Sequence, residues 1–257
     1  MKIIISPAKK MREDPDIVPA AGTPFFLDRA KELAEWIKGL SFSQQKELWA
    51  CSEKLVAQNR ERFLDMDPER NPTPALLAYE GIQYQYMAPG VFEREHWEYA
   101  QSHLRILSAF YGVLRPLDGV VPYRLEMQAK GAPPGWKDLY DFWGSGLCDR
   151  LLEEEREAGE EPLIVNLASK EYSRCVESRL RGRARMITAV FGEYSGGKIV
   201  QKGTMAKMAR GEMARFLAER QIRDPEEMKA FDRLGYRFVP EASDEGIYTF
   251  IREKFSE

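Results

Sequence analysis

The run Ile3-Ile4-Ile5, closed off by Ser6-Pro7, constrains the fold more than any other feature of this chain. Successive side chains of a β-strand point to opposite faces, so a strand that is apolar at every position has to be covered on both sides. Such a strand belongs inside a sheet flanked by helices. One other short segment reads clearly the same way, "PLIVNLAS" at 162–169. The two are expected to be neighbours in one sheet. Ser6 to Lys9 would then lie near Asn166 to Ser169, at the strand ends where ligands bind in an open sheet. Ser6 followed by Pro7 also suits a helix cap and first turn. On that reading Lys9 and Lys10 stand at a helix start, where backbone amides favour an anion.

The rest of the chain supplies helices and further strands. Helical spacing of apolar residues runs from Pro24 to Gly39, after Ser43, and from about Ser52 to Met66. "NPTPALLAYE" (71–80) is a proline-punctuated connector with a short helix. Residues 93–110 read as one helix, with Trp97, Ala100, Leu104, Leu107 and Phe110 or Tyr111 on a stripe. "GVLRPLDGVVPYR" (112–124) is a rigid loop, and "KDLYDFWGSGLCDRLLEEER" (137–156) returns to helix. Residues 183–202 form a hairpin turning at Gly196 and Gly197. Residues 204–220 are helical, and "YRFVP" and "GIYTFIRE" close the chain as strands. The four strands after 180 are expected to be antiparallel. This is an α+β pattern: a mixed β-sheet with surrounding helices. With no repeat, linker or low-complexity tract, residues 1–257 are expected to form a single compact domain.

Several function classes drop out early. The 44% hydrophobic and 31% charged residues are ordinary for a globular protein. No apolar run nears the roughly 20 residues that span a bilayer. One basic residue and three isoleucines are too short for a secretory leader, so the expected compartment is the cytoplasm, with no membrane partner. Cys51, Cys148 and Cys175 make neither a disulfide framework nor a Cys-x-x-Cys site, and read as reduced thiols without a disulfide partner. His96 and His103 are about two helical turns apart, roughly 10 Å, and no third histidine exists. "SGGK" lies in a hairpin and is not a phosphate loop. No metal and no cofactor are expected.

The charge pattern is more informative. Net charge is −3, but Lys2, Lys9, Lys10 and Arg12 precede any acid. Arg174, Arg179, Arg181, Arg183 and Arg185 face only Glu177. Lys202, Lys207, Arg210, Arg215 and Arg220 outnumber Glu212 and Glu219, while acids collect from Glu153 to Glu161. Two readings stay open: the basic blocks converge on a cleft, or they are separate solvated faces. In "AKMARGEMARF" (206–216), Met205, Met208, Ala209, Met213 and Phe216 share one helix face, with Lys207, Arg210 and Ala214 opposite. Lys207 and Arg210 are three apart and can reach one anion. Gly211 would admit a backbone or a phosphate, and Glu212 is expected to pair with an arginine such as Arg215. In "NLASKEY" (166–172), Asn166, Ser169, Glu171 and Tyr172 form a polar pocket with Ser6 and Lys9, unless Ser169 simply caps the next helix. Ser6-x-x-Lys9 matches a serine acyl-transfer pattern whose other partners are missing.

Five blocks, "IIISPAKK", "LRILSAFYGVLRPLDGVVPYRLEM", "KDLYDFWG", "VNLASKEY" and "AKMARGEMARF", resemble the YaaA family of peroxide-stress proteins, in the same order over essentially the whole chain. The resemblance implies hydrogen peroxide resistance and limitation of intracellular free iron. It implies a single domain of unusual α+β topology, a helix-hairpin-helix-like element and binding of double-stranded DNA. In this sequence that element would start with the helix ending near Phe110 and turn at Gly112. Leu114 replaces the usual second glycine, so the hairpin is otherwise expected at Asp118-Gly119. The implied function is a DNA-binding stress protein acting on double-stranded or distorted DNA through Lys9, Lys10, Gly112, Arg115, Arg124, Lys207 and Arg210. The alternative is an enzyme acting on a nucleotide, base or nucleic acid in a pocket of Ser6, Lys9, Asn166 and Ser169, with Glu171 and Lys207.

Overall fold

The computed structural model describes residues 1–13, 18–68, 70 and 72–252. Asn71 of the proline-punctuated connector and Glu253 of the last expected strand lie outside these. The main sheet has eight strands: β1 (Lys2–Ile5), β2 (Leu104–Ser108), β3 (Gly112–Leu114), β4 (Leu163–Asn166), β5 (Arg185–Ser195), β6 (Lys198–Val200), β7 (Tyr236–Phe238) and β8 (Ile247–Arg252). Their order is β7-β8-β5-β4-β1-β2-β3, with β6 paired to β5 off this path. The sheet is mixed, and helices pack around it over one continuous apolar core.

The two isoleucine-type strands are neighbours. β1 runs parallel to β4, with Ile3 opposite Val165, and Ile3, Ile4 and Ile5 are buried on both faces. The other side of β1 corrects the sequence reading. The helix expected over 93–110 stops at His103, and Leu104 turns extended to start β2, parallel to β1 with Ile3 opposite Leu104. Leu104 and Leu107 fit a helical stripe, but every residue of β2 is buried, and a short run covered on both faces cannot be told from buried helix by period alone.

β2 turns back at once into β3, with Ser108 opposite Gly112, so the segment expected to start a helix-hairpin-helix is a β-hairpin. Gly112 adopts φ +77°, and a Cβ there would stand 2.7 Å from Phe26 and 3.0 Å from Trp143. The alternative hairpin at Asp118-Gly119 is not helical either: Gly119–Val120 pairs with Thr73–Pro74. A helical hairpin does occur earlier, between Phe42–Trp49 and Glu53–Leu64, turning through a left-handed Ala50.

Two further expectations change. No helix follows Ser6-Pro7; the chain bends at Lys9, and Lys10–Met11 pairs with Tyr79–Glu80. The hairpins β5–β6 and β7–β8 are antiparallel as expected, but β5 runs parallel to both β4 and β8. Five consecutive strands, β8, β5, β4, β1 and β2, are therefore parallel and end on one edge. The 137–156 segment splits into Leu139–Trp143 and Gly146–Glu157 at Gly144, φ +52°. The acidic run is not simply solvated. At the opposite edge of the sheet Glu154 pairs with buried Arg105 at 2.6 Å and Glu155 lies 3.6 Å from Lys2.

Because Gly112 is enclosed rather than presented, Gly112→Ala should act on stability. Strained φ and overpacking together cost roughly 1–3 kcal/mol. Thermal unfolding should show a fall of several degrees, while DNA affinity of the folded protein stays unchanged. A variant that keeps its melting temperature but loses DNA would return Gly112 to the interface.

Candidate anion-binding site

The parallel strands deliver their ends to a cleft. At the end of β1 the Ser6 carbonyl accepts a hydrogen bond from Tyr84 at 2.9 Å. Ser6 Oγ accepts from the Ser169 amide at 2.8 Å and donates to Ser169 Oγ at 3.1 Å. Ser169 occupies the cap position of the Lys170–Leu180 helix, but its hydroxyl does not cap it. Asn166 lies beneath: its Oδ1 accepts from the Ala168 amide at 2.9 Å and its Nδ2 donates to Thr188 at 3.3 Å, which shapes the turn after β4. Lys9 pairs with Glu126 at 2.6 Å, away from Ser6, so no Ser/Lys dyad forms.

Above these residues lies a cavity of about 380 Å³. Ser6, Lys9, Lys10, Arg124, Ser169, Glu171, Tyr172, Lys207 and Arg210 all line it, together with Glu80, Gln83, Tyr84, Tyr123 and Glu126. Gly112 and Arg115 are elsewhere. Leu114 stands opposite Ile106, so Arg115 lies toward the other edge of the sheet, paired with Asp118 at 2.9 Å.

The residues that sequence reasoning missed, Gln83, Tyr84 and Tyr123, build the wall. Ser108 Oγ accepts from the amides of Phe110 and Tyr111, so its own proton goes to Tyr123 Oη at 2.6 Å. Tyr123 also bonds Tyr79 at 2.8 Å. Burial pushes Tyr123 up to about 12 and holds Tyr84 and Tyr172 well above the usual phenol range. The wall is aromatic and neutral. No motif marks "GIQYQYM"; the one hint is Tyr123-Arg124, inside a block already singled out.

Electrostatics separate the rim from the depth. Lys9 and Lys10 are exposed and pair with Glu126 and Glu80, both at 2.6 Å. Arg124 reaches Glu126 at 3.2 Å. Lys207 and Arg210 have no carboxylate partner among the described residues. Lys207 is exposed, whereas Arg210 is half-buried with its Nε out of solvent, and burial lowers its pKa with no opposing charge. The expected solvent face of the Gly203–Glu219 helix is thus covered only in part: Lys207 stays exposed, but Ala214 is buried, and Gly211 admits the backbone of the Ile82–Met87 helix at Gln83. Glu212 pairs with Arg233 at 3.2 Å, not with Arg215, which pairs with Glu219 at 2.6 Å. Arg210 Nε, Arg124 Nε and Gln83 Nε2 are buried without a hydrogen-bond partner. Glu171 accepts from the Gln128 amide, and its pKa is raised chiefly by burial and further by Glu126, against that bond and Lys9.

Fold and site define a mixed-sheet protein with a cleft lined by cationic side chains at the ends of its parallel strands. The chain belongs to the peroxide stress protein YaaA family, whose profile matches residues 1–242. A UPF0246 protein of Agathobacter rectalis is 51% identical over 253 residues, covering 98% of this chain and 99% of the relative. One from Lachnoclostridium phytofermentans is 50% identical, covering 98% and 96%. One from Desulfitobacterium hafniense is 45% identical, covering 98% of each. Among the described residues no helix is long and apolar enough to cross a membrane, and no cluster of three His, Cys, Asp or Glu is placed to hold a metal.

Two outcomes follow from the charges. An enclosed cation without a partner is destabilising, so Arg210→Met should raise unfolding free energy by about 1 kcal/mol while weakening anion binding. A melting temperature below that of the unchanged protein would mean that Arg210 supports the fold. Protonating Glu171 removes a negative charge from the cleft, so oligonucleotide affinity should rise as pH falls through the raised pKa. Glu171→Gln should flatten that part of the pH profile; an unaltered profile would place the titrating group elsewhere.

Proposed function

We propose that this protein serves the peroxide-stress response by binding double-stranded or distorted DNA along the cleft. One observation carries the reading: Arg210 is half-buried with its Nε out of solvent, charged, and without a carboxylate partner among the described residues, at the point where Lys9, Lys10, Arg124 and Lys207 converge. Such a site calls for an anion. The exposed lysines at its rim suit a backbone of repeated phosphates, which positions DNA without reading its sequence. Net charge is −3, so attraction of DNA to this cleft rests on the local distribution of charge and not on the total. Limitation of free iron follows indirectly on this reading, through occupancy of DNA rather than chelation.

The enclosure behind the rim favours a second reading, an enzyme acting on a nucleotide, base or nucleic acid at Ser6, Lys9 and Ser169. Against it, Ser6 bonds to Ser169 and Lys9 pairs with Glu126, which leaves no oriented acid–base pair.

Lys207→Glu separates the two. Lys207 is exposed, so stability should change by less than about 0.5 kcal/mol. Duplex affinity should drop, and the slope of log affinity against log salt should shallow by about 0.9 for each phosphate that the variant no longer neutralises. Unchanged affinity and slope would take this helix out of a DNA interface and leave the pocket reading in front.

A further inference from the structure

We propose that the cavity behind the rim receives one nucleotide unit, with its phosphate held by Arg210 and Lys207 and its base against the tyrosine wall. The proposal deepens the reading of the cleft as a phosphate site and rests on it. Its first support is the set of unmet donors. Gln83 is 7% exposed, and its Nε2 has no partner; Arg124 Nε and Arg210 Nε share that condition, and all three residues line one cavity. An unmet buried donor costs about 1–3 kcal/mol. Three around one space describe a ligand with several acceptors on more than one side. A simple inorganic anion answers the guanidinium but leaves the amide of Gln83 unmet.

The second support is size and lining. A space of about 380 Å³ falls in the small-molecule range, roughly 300–1,000 Å³. A duplex, whose major groove alone is about 12 Å wide, cannot enter it. One mononucleotide can, and so can one nucleotide turned out of a strand. Tyr84, Tyr123 and Tyr172 contribute neutral aromatic surface to the lining. Stacking on such surface accepts any base, because every base has a π-face. Gln83 adds an amide that can bond acceptors on a base edge. The third support is charge placement: Lys207 and Arg210 are three apart on one helix and neither is paired with a carboxylate among the described residues, so one phosphate can meet both. The nucleotide can come free from solution, or from a strand at a mismatch or other distortion where unstacking costs least.

Isothermal titration of the full chain with the four deoxynucleoside 5′-monophosphates, and with inorganic phosphate, tests this directly. At least one nucleotide should bind ten or more times tighter than inorganic phosphate. Gln83→Leu and Arg210→Met, each checked for an intact melting transition, should each weaken that nucleotide tenfold or more. Equal affinities for nucleotide and inorganic phosphate overturn the proposal, as does a folded Gln83→Leu variant with unchanged nucleotide binding. If Gln83→Leu does not fold, Gln83→Glu takes its place, with the same tenfold loss expected and unchanged binding again overturning the idea. Competition identifies the source. A nucleotide that displaces a duplex carrying one unpaired base, but not a fully paired duplex, supports an unstacked strand nucleotide. A nucleotide that binds and displaces neither supports a free nucleotide, and then it is DNA binding at the cleft that fails. DNA binding that Lys207→Glu weakens, without any nucleotide binding, overturns the cavity proposal and leaves the DNA reading standing.

Discussion

The clamping of β1 between β2 and β4, parallel to both, is the constraint on which the rest depends. Ile3, Ile4 and Ile5 are covered on both faces, so neither the register nor the direction of this strand can slip without exposing apolar surface or stranding backbone groups. Its carboxyl end therefore has a fixed address. Tyr84 holds the Ser6 carbonyl, and Ser169 holds the Ser6 hydroxyl, which ties the turn after β1 to the turn after β4. The cleft is the space left above that joint. A single buried strand thus determines where Lys9 and Lys10 leave the sheet.

The same strand also separates charge along the molecule. Its amino end buries Lys2, and neighbouring β2 buries Arg105; Glu154 and Glu155 lie against these cations. Residues that look in sequence like a solvated acidic tail are consumed in neutralising one edge of the sheet. At the other edge Glu80 and Glu126 are engaged by Lys10, Lys9 and Arg124, and among the described residues no carboxylate is paired with Lys207 or Arg210. An acidic protein obtains a cationic cleft by distribution, not by total. A neutralised buried pair at one edge and an unneutralised arginine at the other differ in sign as contributions to stability. Unmet donors in a folded protein are expected where function overrides stability, and here they gather around one space.

How much of this was legible depended on whether burial left a pattern. β1 and β4 could be read because apolar residues on both faces have one structural solution. β2 could not: Leu104 and Leu107 continue the stripe of Trp97 and Ala100, and nothing local announces that the chain extends at Leu104. That error produced the misplaced helix-hairpin-helix, because Gly112 after a supposed helix looks like a hairpin glycine, whereas after a strand it is the left-handed turn residue under Phe26 and Trp143. In the site, Ser6, Lys9, Ser169, Glu171, Lys207 and Arg210 were legible as polar residues at strand ends or on a charged helix face. Their depth was not. Beside Arg210, Gly211 lets the Ile82–Met87 helix close in, an approach of segments more than a hundred residues apart. Gln83 left no trace, since a lone glutamine in a short helix has no periodicity to betray it.

The thiols bear on how a peroxide-stress protein of this kind can work. A cysteine that senses peroxide needs a thiolate, hence a low pKa, and access to solvent. Cys175 is buried and its thiol is pushed up to about 12; Cys148 is buried and raised as well, again by loss of solvation. These two are packing residues that peroxide meets in their least reactive form. The chemistry that the fold does expose is of another kind: rigid strand ends, a neutral aromatic wall and cations held apart from their counter-charges. On the reading proposed for the cleft it holds a phosphate-bearing partner, and a contribution to peroxide tolerance there is then one of occupancy, set by how much of the partner is bound rather than by how fast a thiol is oxidised.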